Sequence, residues 1–450
     1  MKRIIFSKAL LPCGWANNVS MTINDQGRIE EIIKDYMGND PIVAGYALPG
    51  MNNVHSHAFQ RAMAGLAEYS TSTNDSFWTW RNIMYRFAEK ITSSDLYSIA
   101  AQLYLEMLKA GYVSVAEFHY LHNGIEGRAA MSEAILNASK KVNIGLCHLP
   151  VLYMNSGFGG LPLNENQRRF GHDADDYLVF LEKLSQQIEG NNQHLGMAFH
   201  SLRAVPADAL KHCLQNSPLS GPVHIHIAEQ TQEVDDCIKW SGKRPVEWLY
   251  DHVDVDEHWC LIHATHLNDR EVGLIASSGA VVGLCPTTEA NLGDGLFPLK
   301  DFLHQGGKIA IGSDSHISVS VIEELRLLEY GQRLHYQRRN ISADEQEIHT
   351  GANLYLRNLE GGTKASGFDN GSLEVGKRAD IIVLDETSPT LIGTPDHNLI
   401  DRFIFSGNVN PIKDVWVAGE MVINDYKHAN ECEITQNFSE TMIRLQKILD

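Results

Sequence analysis

Between Ala47 and about Gly367, short apolar runs of strand character alternate with longer stretches patterned as helices. A strand must bury its apolar face, and strand–helix alternation does so by laying a parallel sheet against a helical layer. Eight such runs occur, around Val54–His57, Val113–His119, Ile144–Tyr153, Leu195–His200, Val223–Ile227, Trp259–His263, Ala280–Cys285 and Lys308–Ser313. Eight parallel strands close a barrel. The predicted fold class is therefore α/β, a (β/α)8 TIM-like barrel over residues 47–367, with a doubly wound open sheet as the alternative.

The flanks have a different texture. Residues 1–46 alternate over Val19–Ile23 and Arg28–Ile33 about a break at Asp25, Gln26 and Gly27, which predicts antiparallel strands. In residues 368–450, GSLEVGKRADIIVLD and VWVAGEMVINDYKH read as turns and short strands, and Glu433 to Asp450 as a terminal helix. Neither flank has enough strands to be stable alone, so the N- and C-terminal segments are expected to join in a small discontinuous β-sandwich beside the barrel.

At 450 residues, with 43% hydrophobic and 21% charged, the chain can bury a large core. Its formal charge of −19 opposes nucleic acid and anionic membrane surfaces as partners, which leaves a small molecule. Seven cysteines with no C-x-x-C spacing suit a reducing, cytoplasmic setting. The N-terminal MKRIIFSKALLPCGW lacks the apolar core of a signal peptide, and no 18-residue apolar run predicts a membrane span. A homodimer is the default assembly.

His55 and His57 stand at i and i+2 near the end of the first run, so both rings project from one face, the barrel interior. The fifth run, Val223-His-Ile-His-Ile-Ala-Glu229, carries His224 and His226 on a shared face; the position nearer the mouth favours His226. The sixth run ends at His263. The eighth leads through Gly312 and Ser313 to Asp314, a carboxylate costly to bury unless it meets a cation. Each has a plain alternative: a hydrogen-bonded histidine pair, a satisfied core histidine, a helix N-cap. Together they converge, because strands one, five, six and eight deliver these groups to one C-terminal rim. Ligands His55, His57, His226 and Asp314 suit one divalent ion, Zn2+ first, with Fe2+ or Mn2+ as alternatives.

These residues in this order resemble the amidohydrolase superfamily, and the resemblance covers nearly the whole chain. Many members hold two metals through a carboxylated lysine on the fourth strand, but no lysine occurs here between Lys183 and Lys211. The mononuclear, deaminase-like branch is favoured. Within it, the stretches His55-Ser-His-Ala-Phe-Gln-Arg61, Asn74-Asp-Ser-Phe-Trp-Thr-Trp-Arg81, Glu117-Phe-His-Tyr120 and Phe199-His-Ser-Leu-Arg203 resemble the N-formimino-L-glutamate deiminases of histidine breakdown. That family hydrolyses a formimino group to a formyl group and releases ammonia, which implies a small anionic substrate, N-formimino-L-glutamate.

The resemblance also implies roles. A divalent ion brings the pKa of a bound water towards about 7 in favourable zinc sites, Asp314 takes the proton, and His263 steadies the hydroxide. Glu229, otherwise a solvated loop carboxylate, would protonate the departing nitrogen. Arg81 and Arg203 are candidates for binding the substrate carboxylates, since guanidinium forks bind them bidentately. Arg81 lies in a segment that reads as a lid, although its neighbours Phe77, Trp78 and Trp80 equally fit a core helix face. Gln60, Tyr120 and His200 are candidates for orienting the formimino nitrogen and the glutamyl part. His119, His122, His266 and His316 are read as structural, and Arg61 and Arg86 as surface or packing residues. Competing readings are a ring aminohydrolase such as a guanine or cytosine deaminase, an imidazolonepropionase, and a scaffold barrel without catalysis.

Overall fold

The structure, a computed structural model, describes residues 1–69, 77–124, 126–188 and 190–449. Its centre is a barrel of parallel strands: Met51–Ser56, Tyr112–His119, Gly145–Leu152, the pair Gln193–Leu195 and Met197–Phe199, Val223–Ile227, Trp259–His263, Val281–Leu284 and Lys308–Ile311. A parallel bridge between Ser56 and Asp314 joins the last strand's extension to the first, so the predicted barrel closes. Every residue of the second and third strands is buried, as expected where a sheet has side chains inside and helices outside. Small residues fill the interior, among them Val54, Cys260, Ile262, Val281, Cys285 and Ala310.

The seam between first and eighth strands depends on Gly312. A Cβ there would lie 2.7 Å from His55 Cβ and 2.8 Å from His55 N, so only glycine lets the two backbones approach. Beyond it, Ser313 N and Asp314 N donate to His55 O at 3.1 and 3.0 Å, and His57 N donates to Asp314 O at 3.2 Å. Three candidate ligands are thus tied backbone to backbone.

The flanking segments meet in one seven-stranded sheet, ordered Glu420–Ile423, Ile412–Val417, Ile381–Leu384, Ile42–Pro49, Lys2–Leu11, Gly14–Ile23 and Ile29–Ile33. Ile42–Pro49 makes the junction, pairing in parallel with the N-terminal strand and antiparallel with Ile381–Leu384. Phe6, Val19, Met21, Ile381 and Trp416 form its separate core. The terminal helix, Glu431–Leu449, is tied to helix Ser93–Lys109 by ion pairs from Lys109 to Glu431, at 2.6 Å, and from Arg444 to Asp95. That second helix starts in a capping box, Thr92 with Asp95. All seven cysteines are free thiols. Among the described residues no helix is long and apolar enough to cross a membrane.

Candidate metal centre and active site

Strand parity and strand ends assemble the site. His55 and Phe118 point inward from adjacent strands, and the His55 ring lies edge-on to His57, His226 and Phe118 at 4.6, 4.8 and 5.0 Å between centroids. His57 Nδ1 donates to Phe118 O at 2.8 Å and His226 Nδ1 to His200 O at 2.9 Å. A neutral imidazole that donates from Nδ1 keeps a lone pair on Nε2. His226 Nε2 lies 3.0 Å from His55 Nε2, and Asp314 Oδ1 is 3.4 Å from His55 Nε2 and 3.3 Å from His57 Nε2.

Burial pushes all three imidazoles below their ordinary range; neighbouring imidazoles add to this at His55 and His226, while Asp314 partly offsets it at His57. Neutral rings with inward lone pairs, facing one carboxylate, form a donor set that fits a divalent cation. Ligand atoms of His55, His57 and His226 lie within 4.8 Å of one another, as do those of His55, His263 and Asp314. His224, the alternative on the fifth strand, instead bonds Ala365 O at 2.7 Å.

His263 Nε2 is 3.8 Å from Asp314 Oδ2 and 3.7 Å from Glu229 Oε1, while its Nδ1 lies 3.2 Å from Glu289 Oε1. Burial alone would lower its pKa, but Glu229, Glu289 and Asp314 outweigh that and raise it to about 10. Glu229, equally buried, is raised to about 7 by desolvation against the pull of His263. Several of these residues sit on left-handed backbone just past strand ends: Ala228 at φ 52°, His263 at 69°, Ala264 at 48° and Asp314 at 44°. Such conformations persist where the surroundings over-determine them.

One pocket contains His57, His226, Glu229, His263 and Asp314 at its floor and Gln60, Arg81, Tyr120, His200 and Arg203 in its walls. His55 lies beneath, fully buried. Gln60 Nε2 donates to Tyr120 OH at 2.8 Å, while Gln60 Oε1 is buried with no partner among the described residues. Tyr120 packs against His57 at 4.9 Å and His200 against His226 at 5.2 Å, so the polar wall is continuous with the candidate metal centre. Arg81 extends from helix Phe77–Lys90 and lies over the Tyr85 ring at 5.5 Å. Trp80 lines the pocket too; residues 74–76 and the side chains of Phe77 and Trp78 lie outside the described residues.

The remaining histidines and arginines go elsewhere. His119 and His122 turn away from the pocket towards His148 and His172. His266 bonds Asp294 O at 2.8 Å, and Arg61 pairs with Glu106 at 2.8 Å. The sequence reading missed Glu289, which stands just beyond the seventh strand as Glu229 stands beyond the fifth, and that placement is a usable signal. It also missed Met84, Tyr85, Tyr153, Phe170 and Leu292 in the pocket wall.

Known proteins match along the whole chain. An amidohydrolase family profile matches residues 46–422. A formimidoylglutamate deiminase of Pseudomonas aeruginosa is 49% identical over 448 residues, covering 98% of this chain and 99% of that protein. A 5-methylthioadenosine/S-adenosylhomocysteine deaminase of Thermodesulfovibrio yellowstonii is 25% identical over 422 residues, 90% of this chain and 88% of that protein. Among solved structures, an amidohydrolase from Brucella melitensis superposes with a TM-score of 0.93 at 42% identity, covering 99% of this chain and all of that one. A zinc-bound adenosine deaminase from Xanthomonas campestris shares the fold, with a TM-score of 0.81 at 19% identity over 99% and 98% of the two chains. With closed barrel, clustered rim histidines and full-length relatives in agreement, this chain belongs to the amidohydrolase family.

Proposed function

We propose that this protein hydrolyses the formimidoyl group of N-formimino-L-glutamate, giving N-formyl-L-glutamate and ammonia. The observation that carries the reading is a pocket with two chemically distinct parts: buried imidazoles and carboxylates on the floor, and two arginines, Arg81 and Arg203, in the wall. A substrate with two carboxylates and one amidine matches both. A flat neutral ring has no carboxylate for a guanidinium fork to bind, whereas the glutamyl part of the proposed substrate carries two. The relative that is 49% identical carries the same activity in its name.

A divalent ion, Zn2+ in this proposal, held by His55, His57, His226 and Asp314, would supply Lewis-acid activation of the attacking water. The protein's own residues then manage protons and position. Asp314, facing His263 Nε2 at 3.8 Å, accepts the proton that the water loses on attacking the formimidoyl carbon. His263, with carboxylates on both sides, stabilises the negative charge that develops there. Glu229, with its pKa raised to about 7, delivers a proton to the departing nitrogen, so the carbon–nitrogen bond breaks with ammonia as leaving group. Gln60 Oε1, an acceptor with no partner among the described residues, takes an N–H of the substrate; Tyr120 and His200 hold the chain between the two ends.

The test is a substrate panel: ammonia release from N-formimino-L-glutamate, N-formimino-L-aspartate, guanine and cytosine by metal-loaded protein. The glutamate derivative is expected to lead in kcat/KM. A ring substrate in first place would refute the assignment.

A further inference from the structure

The first and eighth strands, which bring His55, His57 and Asp314 together, are also joined behind the pocket by a chain of side-chain hydrogen bonds. Its direction is set at the Asn53 end, where Oδ1 accepts from His55 N and Ser313 N, both at 3.2 Å, so that Nδ2 is left to donate, and the chain runs from there to Glu117. Three donors converge on the Glu117 carboxylate: Ser56 Oγ at 2.5 Å, Ala58 N at 2.7 Å and Tyr104 OH at 3.1 Å. With its proton spent on Glu117, Ser56 Oγ accepts from His316 Nε2 at 3.2 Å. His316 Nδ1 is then a lone pair, and Ser313 Oγ donates to it at 3.0 Å while accepting from Asn53 Nδ2 at 2.6 Å. Every link donates the same way, and Asn53, Ser56, Glu117, Ser313 and His316 are all buried.

The chain grips both neighbours of His57, namely Ser56 and Ala58, and flanks Asp314 through Ser313 and His316. Asp314 and His316 have φ of 44° and 60°, left-handed conformations that L residues hold only under outside constraint. His316 supplies it, bonded at both ring nitrogens and through its backbone N to Ser313 O at 2.8 Å.

We propose that Glu117, Ser56 and His316 are positioning residues that set the spacing of His55, His57 and Asp314 around the ion, with His316 locked as the neutral Nε2–H tautomer. This rests on reading those three residues as metal ligands. None of the three positioning residues lines the pocket, so the effect reaches the reaction through the ligands.

The experiment follows transfer of Zn2+ from wild-type, Ser56→Ala and Glu117→Gln protein to a chromophoric chelator, with kcat and KM measured per bound ion. Ser56→Ala is expected to release the ion roughly 10- to 100-fold faster, the range for lost partners of metal ligands, with kcat lowered and KM unchanged. In Glu117→Gln the amide oxygen keeps Ala58 N and the amide N–H faces Ser56 Oγ, which then donates to His316 Nε2; His316 becomes the Nδ1–H tautomer, and Ser313 Oγ accepts from both His316 Nδ1 and Asn53 Nδ2. Imidazole 15N spectra of histidine-labelled protein read this directly, with the His316 signals identified by their loss in His316→Gln. Release from Ser56→Ala at the wild-type rate, or an unchanged His316 tautomer in Glu117→Gln, overturns the proposal. If Ser56→Ala does not fold, the Glu117→Gln spectrum decides alone. Wild-type protein that takes up no divalent ion contradicts the metal reading itself.

Discussion

Outside the second and third barrel strands, His119, His122, His148 and His172 form a buried cluster with neighbouring ring centroids 4.2 to 5.4 Å apart. Burial lowers the pKa of every member; His122 stands at about 4 and His148 at about 3, against an ordinary value of 6.5. Below pH 6.5 the unfolded chain takes up protons on these rings while the folded chain refuses them until about 4 and 3. Stability is therefore full above about 6.5 and falls as the pH drops through that window. Each ring costs about 1.4 kcal/mol per pH unit, so between about pH 6.5 and 5 His148 alone removes about 2 kcal/mol.

The perturbation is His148→Asn, which leaves a polar partner for Ser132 Oγ, now 3.0 Å from His148 Nε2, but no titrating group. Urea unfolding followed by circular dichroism at several pH values, with equal metal loading, gives the slope of stability against pH. The variant should be less stable near neutrality and shallower in acid, by about 1.4 kcal/mol per pH unit. Parallel slopes for the two proteins would refute the argument.

Asp314→Asn should lower kcat by orders of magnitude while far-UV circular dichroism stays that of a folded barrel; a fully active variant removes Asp314 from the mechanism. Arg203→Met should raise KM far more than it lowers kcat, with each lost charged hydrogen bond costing roughly 1.5 to 3 kcal/mol; an unchanged kcat/KM excludes the clamp. Removing the metal with a chelator should lower the melting temperature, and returning Zn2+ should restore it, with stability rising as the logarithm of free ion once the site is near saturation. A melting temperature indifferent to the ion contradicts the ligand assignment.

The barrel was legible because parallel strands buried on both faces read as unbroken apolar runs. The fourth strand was the least regular, interrupted at Gly196, where a Cβ would meet Pro222 O at 2.5 Å. The grouping of the candidate ligands was legible for a related reason: i, i+2 spacing and strand ends fix which side chains reach the rim, and His55, His57, His226 and Asp314 lie together there. Groups acting from behind were not legible. Rim position gives no sign of Glu117, because on the second strand Phe118 takes the inward place and Glu117 and His119 alternate with it. Parity would have placed them outside. The link from Ser56 to His316 spans 260 residues of chain, and only closure of the barrel makes them neighbours.

Hydrolysis of a linear amidine at this site is tested by mass spectrometry of the products from N-formimino-L-glutamate turned over in 18O-water. Each turnover should release one ammonia and one N-formyl-L-glutamate carrying a single 18O in the formyl group. Formamide with free glutamate, or no turnover by metal-loaded protein, would contradict it.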